Sequence, residues 1–241
     1  MKTAIKINGQ HVTIPEIWED VTLKQAIEIN ASKSNAEVLH VISGIDLETC
    51  EQIRPEQLAA IIWPINALGD LPTSEDWQLP MQQPKALGSM EFARKVNVDA
   101  LSRLKLEPIE MMGRIVAIYC ADGIEDEDIE RCYLSVLDMP FPHVADAGKY
   151  LSEKLTEMAK GEALIKSPEY ESEEWQAGID DFKKYGTFGL VRGISLRHHC
   201  SDQDVYKWSY NKVLLELQYA ADENAYQRKL NKILSNKSKK K

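Results

Sequence analysis

A chain of 241 residues with 44% hydrophobic and 28% charged residues has the make-up of an ordinary folded protein, long enough to bury roughly 70% of the surface its unfolded form exposes. Collagen-like, disordered and disulfide-stapled classes are disfavoured. Formal net charge is −9, yet Arg228, Lys229, Lys232, Lys237, Lys239, Lys240 and Lys241 contribute +7 after the last acid, Glu223, leaving −16 on residues 1–227. An acidic body repels nucleic acid and anionic lipid, so any contact with nucleic acid is expected to be weak and confined to the basic tail, residues 236–241. The longest apolar run, 58–62 with Trp63-Pro64-Ile65 behind it, is far below the ~20 residues that span a bilayer. No membrane partner is expected, and with no apolar signal core near Met1 the chain reads as cytoplasmic. Its four cysteines contain no C-x-x-C pair, the pattern of reduced thiols.

The N-terminus predicts a β-hairpin over residues 3–14: Ile5 and Ile7, the turn pair Asn8-Gly9, then Val12 and Ile14 alternate as strands do. Thr22 is placed to cap a helix holding Leu23, Ala26, Ile27 and Ile29. Residues 38–44 read as a second buried segment, and Pro55 opens a helix presenting Leu58, Ile61 and Ile62 that Trp63-Pro64 kinks or closes. Pro72, Pro80 and Pro84 then fall close together and hydrophobic periodicity stops, which marks the expected domain boundary. A short strand over 77–81 returning to the hairpin is also compatible with the pattern.

Beyond Gly88 the chain reads as helical. Pro108 suits a first helical turn, with Ile109, Met112, Gly113, Val116, Tyr119 and Cys120 on one face. A second helix carries Ile129, Cys132, Tyr133, Val136 and Leu137, and a third runs from Val144 to Met158, ended by Gly161. Ser201 with Asp204 looks like a cap before a long helix over 206–234. The fold class is therefore mainly α, α+β overall: an α+β module at 1–72, a Pro-rich connector at 73–87, a helical domain at 88–235 and a basic tail at 236–241. Residues 21–30 and 88–97 echo each other, each opening on a capping hydroxyl and ending in an apolar residue before Asn. Duplication is one reading of this; the generic likeness of two capped helices is the other.

No phosphate-cradling, nucleophile-elbow or H-E-x-x-H motif is present, so catalytic, cofactor and metal residues are each expected to be none. Gly186, Gly189 and Gly193 lack the flanking strand and lysine of a phosphate loop and read as helix-start punctuation. The acids 125–128 suit a solvated first helical turn. His198-His199-Cys200 lacks the paired spacing of a zinc site, and His143 would be a general base only with a nucleophile and a cleft beside it.

Residues 15–25 (PEIWEDVTLKQ), the run 115–120 leading through acids to 137–140 (LDMP), and 182–189 (FKKYGTFG) together resemble the small helical tail-assembly chaperones and morphogenesis proteins of tailed bacteriophages. The resemblance implies a non-enzymatic factor that shields an apolar helical partner such as a tape-measure protein, located in the host cytoplasm. A structural virion subunit of tail, neck or baseplate is the alternative, and an enzyme of unrecognised type the second. Helices 109–120, 144–158 and 206–234 are the expected walls of a partner groove, and Tyr206, Trp208, Tyr210, Leu214, Leu215, Leu217 and Tyr219 the expected partner-binding residues.

Overall fold

The computed structural model describes residues 2–7, 10–66, 87–165, 181 and 184–238. The predicted turn at Asn8-Gly9, the strand at 77–81, most of the Pro-rich connector and residues 239–241 lie outside these. The protein is mainly helical, and among the described residues it has one two-stranded sheet. Strands β1 (Lys2–Ile7) and β2 (Gln10–Pro15) pair antiparallel, with Ile7 opposite Gln10, Ile5 opposite Val12 and Thr3 opposite Ile14. Opposed residues share a face, so the alternation read in the sequence puts Ile7, Val12 and Ile14 together on the buried side.

Helices α1 (Leu23–Ala31), α2 (Asn35–Ser43), α3 (Leu47–Glu51) and α4 (Pro55–Asn66) follow. Thr22 caps α1 with a reciprocal box: its hydroxyl accepts from the Gln25 amide at 3.2 Å and the Gln25 side chain accepts from the Thr22 amide at 3.1 Å. Gly44 ends α2 with φ of 71°, the left-handed turn that glycine makes without strain. Pro64 does not close α4, which continues through it to Asn66.

Next come α5 (Phe92–Leu101), α6 (Pro108–Cys120, Pro108 in its first turn), α7 (Asp126–Leu137) and α8 (Phe141–Ala163). α8 begins three residues before the expected Val144 and passes through Gly161, because Pro142 lies in its first turn, where no amide is required. The glycine-punctuated stretch is helical throughout as α9 (Gly186–His198). α10 (Asp202–Lys207) and α11 (Tyr210–Ser238) complete the described chain. The expected helix over 206–234 is thus two, separated at Trp208-Ser209, and the start of the basic tail is its last turn.

The chain divides inside the expected Pro-rich stretch, between Pro84 and Lys85, but also after Ala100 and after Ser152, which the sequence did not mark. One compact unit joins Met1–Pro84 to Leu101–Ser152, the other joins Lys85–Ala100 to Glu153–Lys241. The reason is a pair of isolated antiparallel bridges. Thr22 pairs with Pro140, fixed by the Leu23 amide on the Met139 carbonyl at 2.9 Å and the Phe141 amide on the Val21 carbonyl at 2.7 Å. Glu91 pairs with Ser209, fixed by the Phe92 amide on the Trp208 carbonyl at 2.7 Å and the Tyr210 amide on the Met90 carbonyl at 2.9 Å.

The two bridges are built alike. Each first partner follows a three-residue 3-10 turn, Trp18–Asp20 or Leu87–Ser89, and immediately precedes a helix. Each second partner immediately precedes α8 or α11. The partners are 118 positions apart in both (22 to 140, 91 to 209), and the second bridge lies 69 positions after the first at both ends. The structure therefore places Thr22 on Glu91, two residues from the Thr22-on-Ser89 match read in the sequence. Glu91 and Arg94, joined at 2.9 Å, occupy the positions of Thr22 and Gln25.

In the first unit Val21, Leu23, Leu39, Val116, Val136, Val144 and Leu151 are fully buried, each such side chain stabilising by about 1.5–3 kcal/mol relative to exposure. α6 carries Gly113 where it meets α1: a Cβ there would lie 2.5 Å from Leu23 Cδ2. The second unit has its own core of Phe92, Val191, Ile194, Val205, Tyr210 and Val213. α8 starts in the first unit and ends in the second.

Candidate partner-binding surface

The first turns of α11 set the candidate site. Tyr210 and Val213 point into the core of the second unit, and Leu214 and Leu217 pack against its edge. Beside them an open cleft of about 430 Å³ is walled by Phe92 and Leu190 from α5 and α9, Leu214 and Leu217 from α11, and Ile165. This is within the size range of sites that bind ligands or peptide side chains.

Its mouth is charged. Lys95 Nζ lies 2.6 and 2.7 Å from the two Asp99 oxygens and 3.7 Å from Glu162 Oε1, and the Tyr210 hydroxyl donates to that same Glu162 oxygen at 2.9 Å. Lys95 is only 9% exposed: its stem lies in the apolar wall while its ammonium is shared by two half-exposed carboxylates, an arrangement that limits the desolvation cost of a buried charge. Within this cluster one cation faces two acids.

The seven expected partner-binding residues fall into three groups. Tyr210, Leu214 and Leu217 line the cleft. Tyr206 and Trp208 lie outside α11, in α10 and at the bridge, packed against the core with Phe92 stacked on Tyr206 at 6.3 Å. Leu215 and Tyr219 are on the opposite, outer face, 67% and 58% exposed. The sequence spreads these positions over more than one face of a single helix; the break at Trp208-Ser209 leaves the first two outside α11. Of the three helices expected to wall a partner groove, α6 and the start of α8 belong to the first unit and α11 to the second. The opposite wall, Phe92, Lys95 and Leu190, was not read as functional; the only signal was the i,i+4 pair Lys95-Asp99 on an amphipathic helix.

The titratable residues singled out in the sequence are dispersed. His198 Nε2 is 2.9 Å from Glu216 Oε2 and its ring meets Trp208 edge-on at 5.1 Å, while the Lys212 ammonium sits 3.3 Å from the Trp208 ring centre. His199 takes a left-handed turn (φ 52°) that ends α9, and Cys200 packs on the core. His143 is in the first turn of α8, its amide bonded to the Pro140 carbonyl at 3.1 Å. None of these lines the cleft. Among the described residues no group of three or more His, Cys, Asp or Glu is arranged to hold a metal, and no helix is long and apolar enough to cross a membrane.

Perturbed groups are local. The Asp46 carboxyl, the cap of α3, is held below the usual range by hydrogen bonds from Thr49, and Asp204, in the first turn of α10, likewise by those from its cap Ser201. Burial pushes the Cys50 thiol and the Tyr133 phenol up. In comparisons with family models, characterised proteins and solved structures, the chain matches none.

Proposed function

We propose that this protein is a non-enzymatic assembly factor of the phage tail-chaperone kind, which takes the apolar face of an amphipathic partner helix into the cleft of its second unit. The observation that carries the reading is the cleft itself: an open apolar trough formed by Phe92, Leu190, Leu214 and Leu217 with the net-negative Lys95, Asp99 and Glu162 cluster at its mouth. Apolar anchors at helical spacing suit the trough, and a lysine or arginine beside them suits the mouth. A tape-measure-like helix with such a flank is the partner this chemistry favours, and the resemblance read in residues 15–25, 115–140 and 182–189 points the same way.

The test is affinity capture of the tagged full chain from phage-infected cells, read with the proteome of purified particles. Capture of a long helical tail protein that Leu217→Glu abolishes, with this chain absent from finished particles, supports the chaperone reading. A fixed copy number in particles replaces it with a structural subunit. Capture that Leu217→Glu leaves intact, or no tail protein captured, overturns it.

A further inference from the structure

The outer face of α11 poses a separate question. From Asp222 to Asn236 its residues are exposed, apart from half-buried Arg228 and Leu230. A solvated helical stretch of this length is marginal in water without a covering surface. It is also not polar all round: Leu215, Tyr219, Tyr226, Leu230 and Ile233 recur at i, i+4, i+11, i+15 and i+18, a single stripe, with Tyr226 and Ile233 61% and 53% exposed.

The charges along this stripe are sorted end from end. Glu216, Asp222 and Glu223 are the only charges between positions 216 and 223, and every charge from Arg228 onward is positive. A helix sorted in this way complements itself only when reversed. We propose that α11 pairs antiparallel with α11 of a second copy of this chain, about a two-fold axis at Tyr226. Tyr219 and Ile233 lie seven residues to either side of Tyr226 and therefore face each other across the axis. Glu223 and Lys229 lie three residues to either side and meet as opposite charges. Glu223 is 3.5 Å from Arg197 yet its side chain is 43% exposed, so it remains available. A parallel pair would set Asp222 and Glu223 against themselves and Lys229 against Lys229, which is repulsive. The antiparallel pair is isologous and closes on itself, giving a dimer and not a filament. It uses none of the cleft residues, so it stands or falls independently of the proposed function.

Sedimentation equilibrium of the full chain across a range of concentrations is the direct test. The expected result is a monomer–dimer equilibrium weakened by salt, and weakened at least about tenfold by Tyr226→Glu with Ile233→Glu. Both positions are exposed, so the melting curve of the monomer should not move. Orientation is read by oxidative crosslinking: a mixture of the Tyr219→Cys and Ile233→Cys chains should give the mixed disulfide dimer, in preference to either chain alone. A chain that stays monomeric at every concentration, a dimer indifferent to the two glutamates, or Tyr219→Cys linking efficiently to itself would overturn the proposal.

Discussion

Replacing Gly113 by alanine should destabilise the first unit, although alanine is the better helix former. Within a helix interior the exchange by itself gains about 1 kcal/mol. Here the added methyl would stand 2.5 Å from Leu23 Cδ2 and 3.4 Å from Tyr133 Cε2, whereas carbon atoms rest at roughly 3.5–4.0 Å. Leu23 is fully buried and has no solvent to swing into, so the overlap is relieved only by moving α1 from α6 or by an off-rotamer leucine, at about 1–3 kcal/mol. The net loss is about 1 kcal/mol. Leu23→Ala alone should cost ~2–5 kcal/mol. In the double variant the methyl added at position 113 enters space that Leu23 vacated and the helix-propensity gain survives, so it should be more stable than Leu23→Ala by about 1 kcal/mol. Urea unfolding followed by circular dichroism measures the cycle. Costs that add to within about 0.5 kcal/mol, or a Gly113→Ala chain as stable as the parent, would refute the steric argument.

Thr22→Ala should lose the bond from the Gln25 amide to the hydroxyl, while the residue-22 amide still donates to the Gln25 side chain, and should cost about 1 kcal/mol, with Thr22→Ser close to the parent, as read by thermal melts. Tyr210→Phe leaves the Glu162 carboxylate without its hydroxyl donor and should cost about 2 kcal/mol in urea unfolding; an unchanged midpoint would show that the 2.9 Å bond contributes nothing net. Tyr133 titrates above the ordinary phenol range because it is buried, against the pull of the Arg114 guanidinium 4.3 Å over its ring. The folded state holds the phenolic proton longer than the unfolded one. Its share of stability is therefore complete below about pH 10 and is lost as pH rises from there through the raised folded value. Ultraviolet absorbance titration should show a late component that Tyr133→Phe diminishes.

Local signals were legible where local physics decides. The hairpin alternation, the Thr22 and Ser201 caps, Pro108 in a first turn and the apolar stripes of α6 and α7 all follow from neighbours a few residues apart. What escaped reading depends on distant residues. The break between α10 and α11 is imposed by Glu91, which pairs with Ser209 and has no trace in the helical periodicity around it. The same bridge starts α11 at Tyr210 and leaves Tyr206 and Trp208 outside the single helix expected to hold them. The cleft was half visible, since Leu214 and Leu217 were on the α11 pattern, but its other wall comes from Phe92 and Leu190, over a hundred and over twenty residues earlier in the chain.

The alternation of the two units along the chain constrains how the protein can be made. On a ribosome, Thr22 emerges long before Pro140, and between them the chain must deliver Lys85–Ala100, which belongs to the other unit. Neither unit can close as its first stretch appears, so α1 and α5 leave the exit tunnel with their apolar faces uncovered, and each waits on a loop of the same span to be spun out. No single cut yields a folded half: a fragment ending in the Pro-rich stretch would lack α6 to α8, and the remainder would lack the partner of Pro140. Expression trials by halves should give insoluble material, whereas two fragments produced together in one cell have all the pieces from which to reassemble.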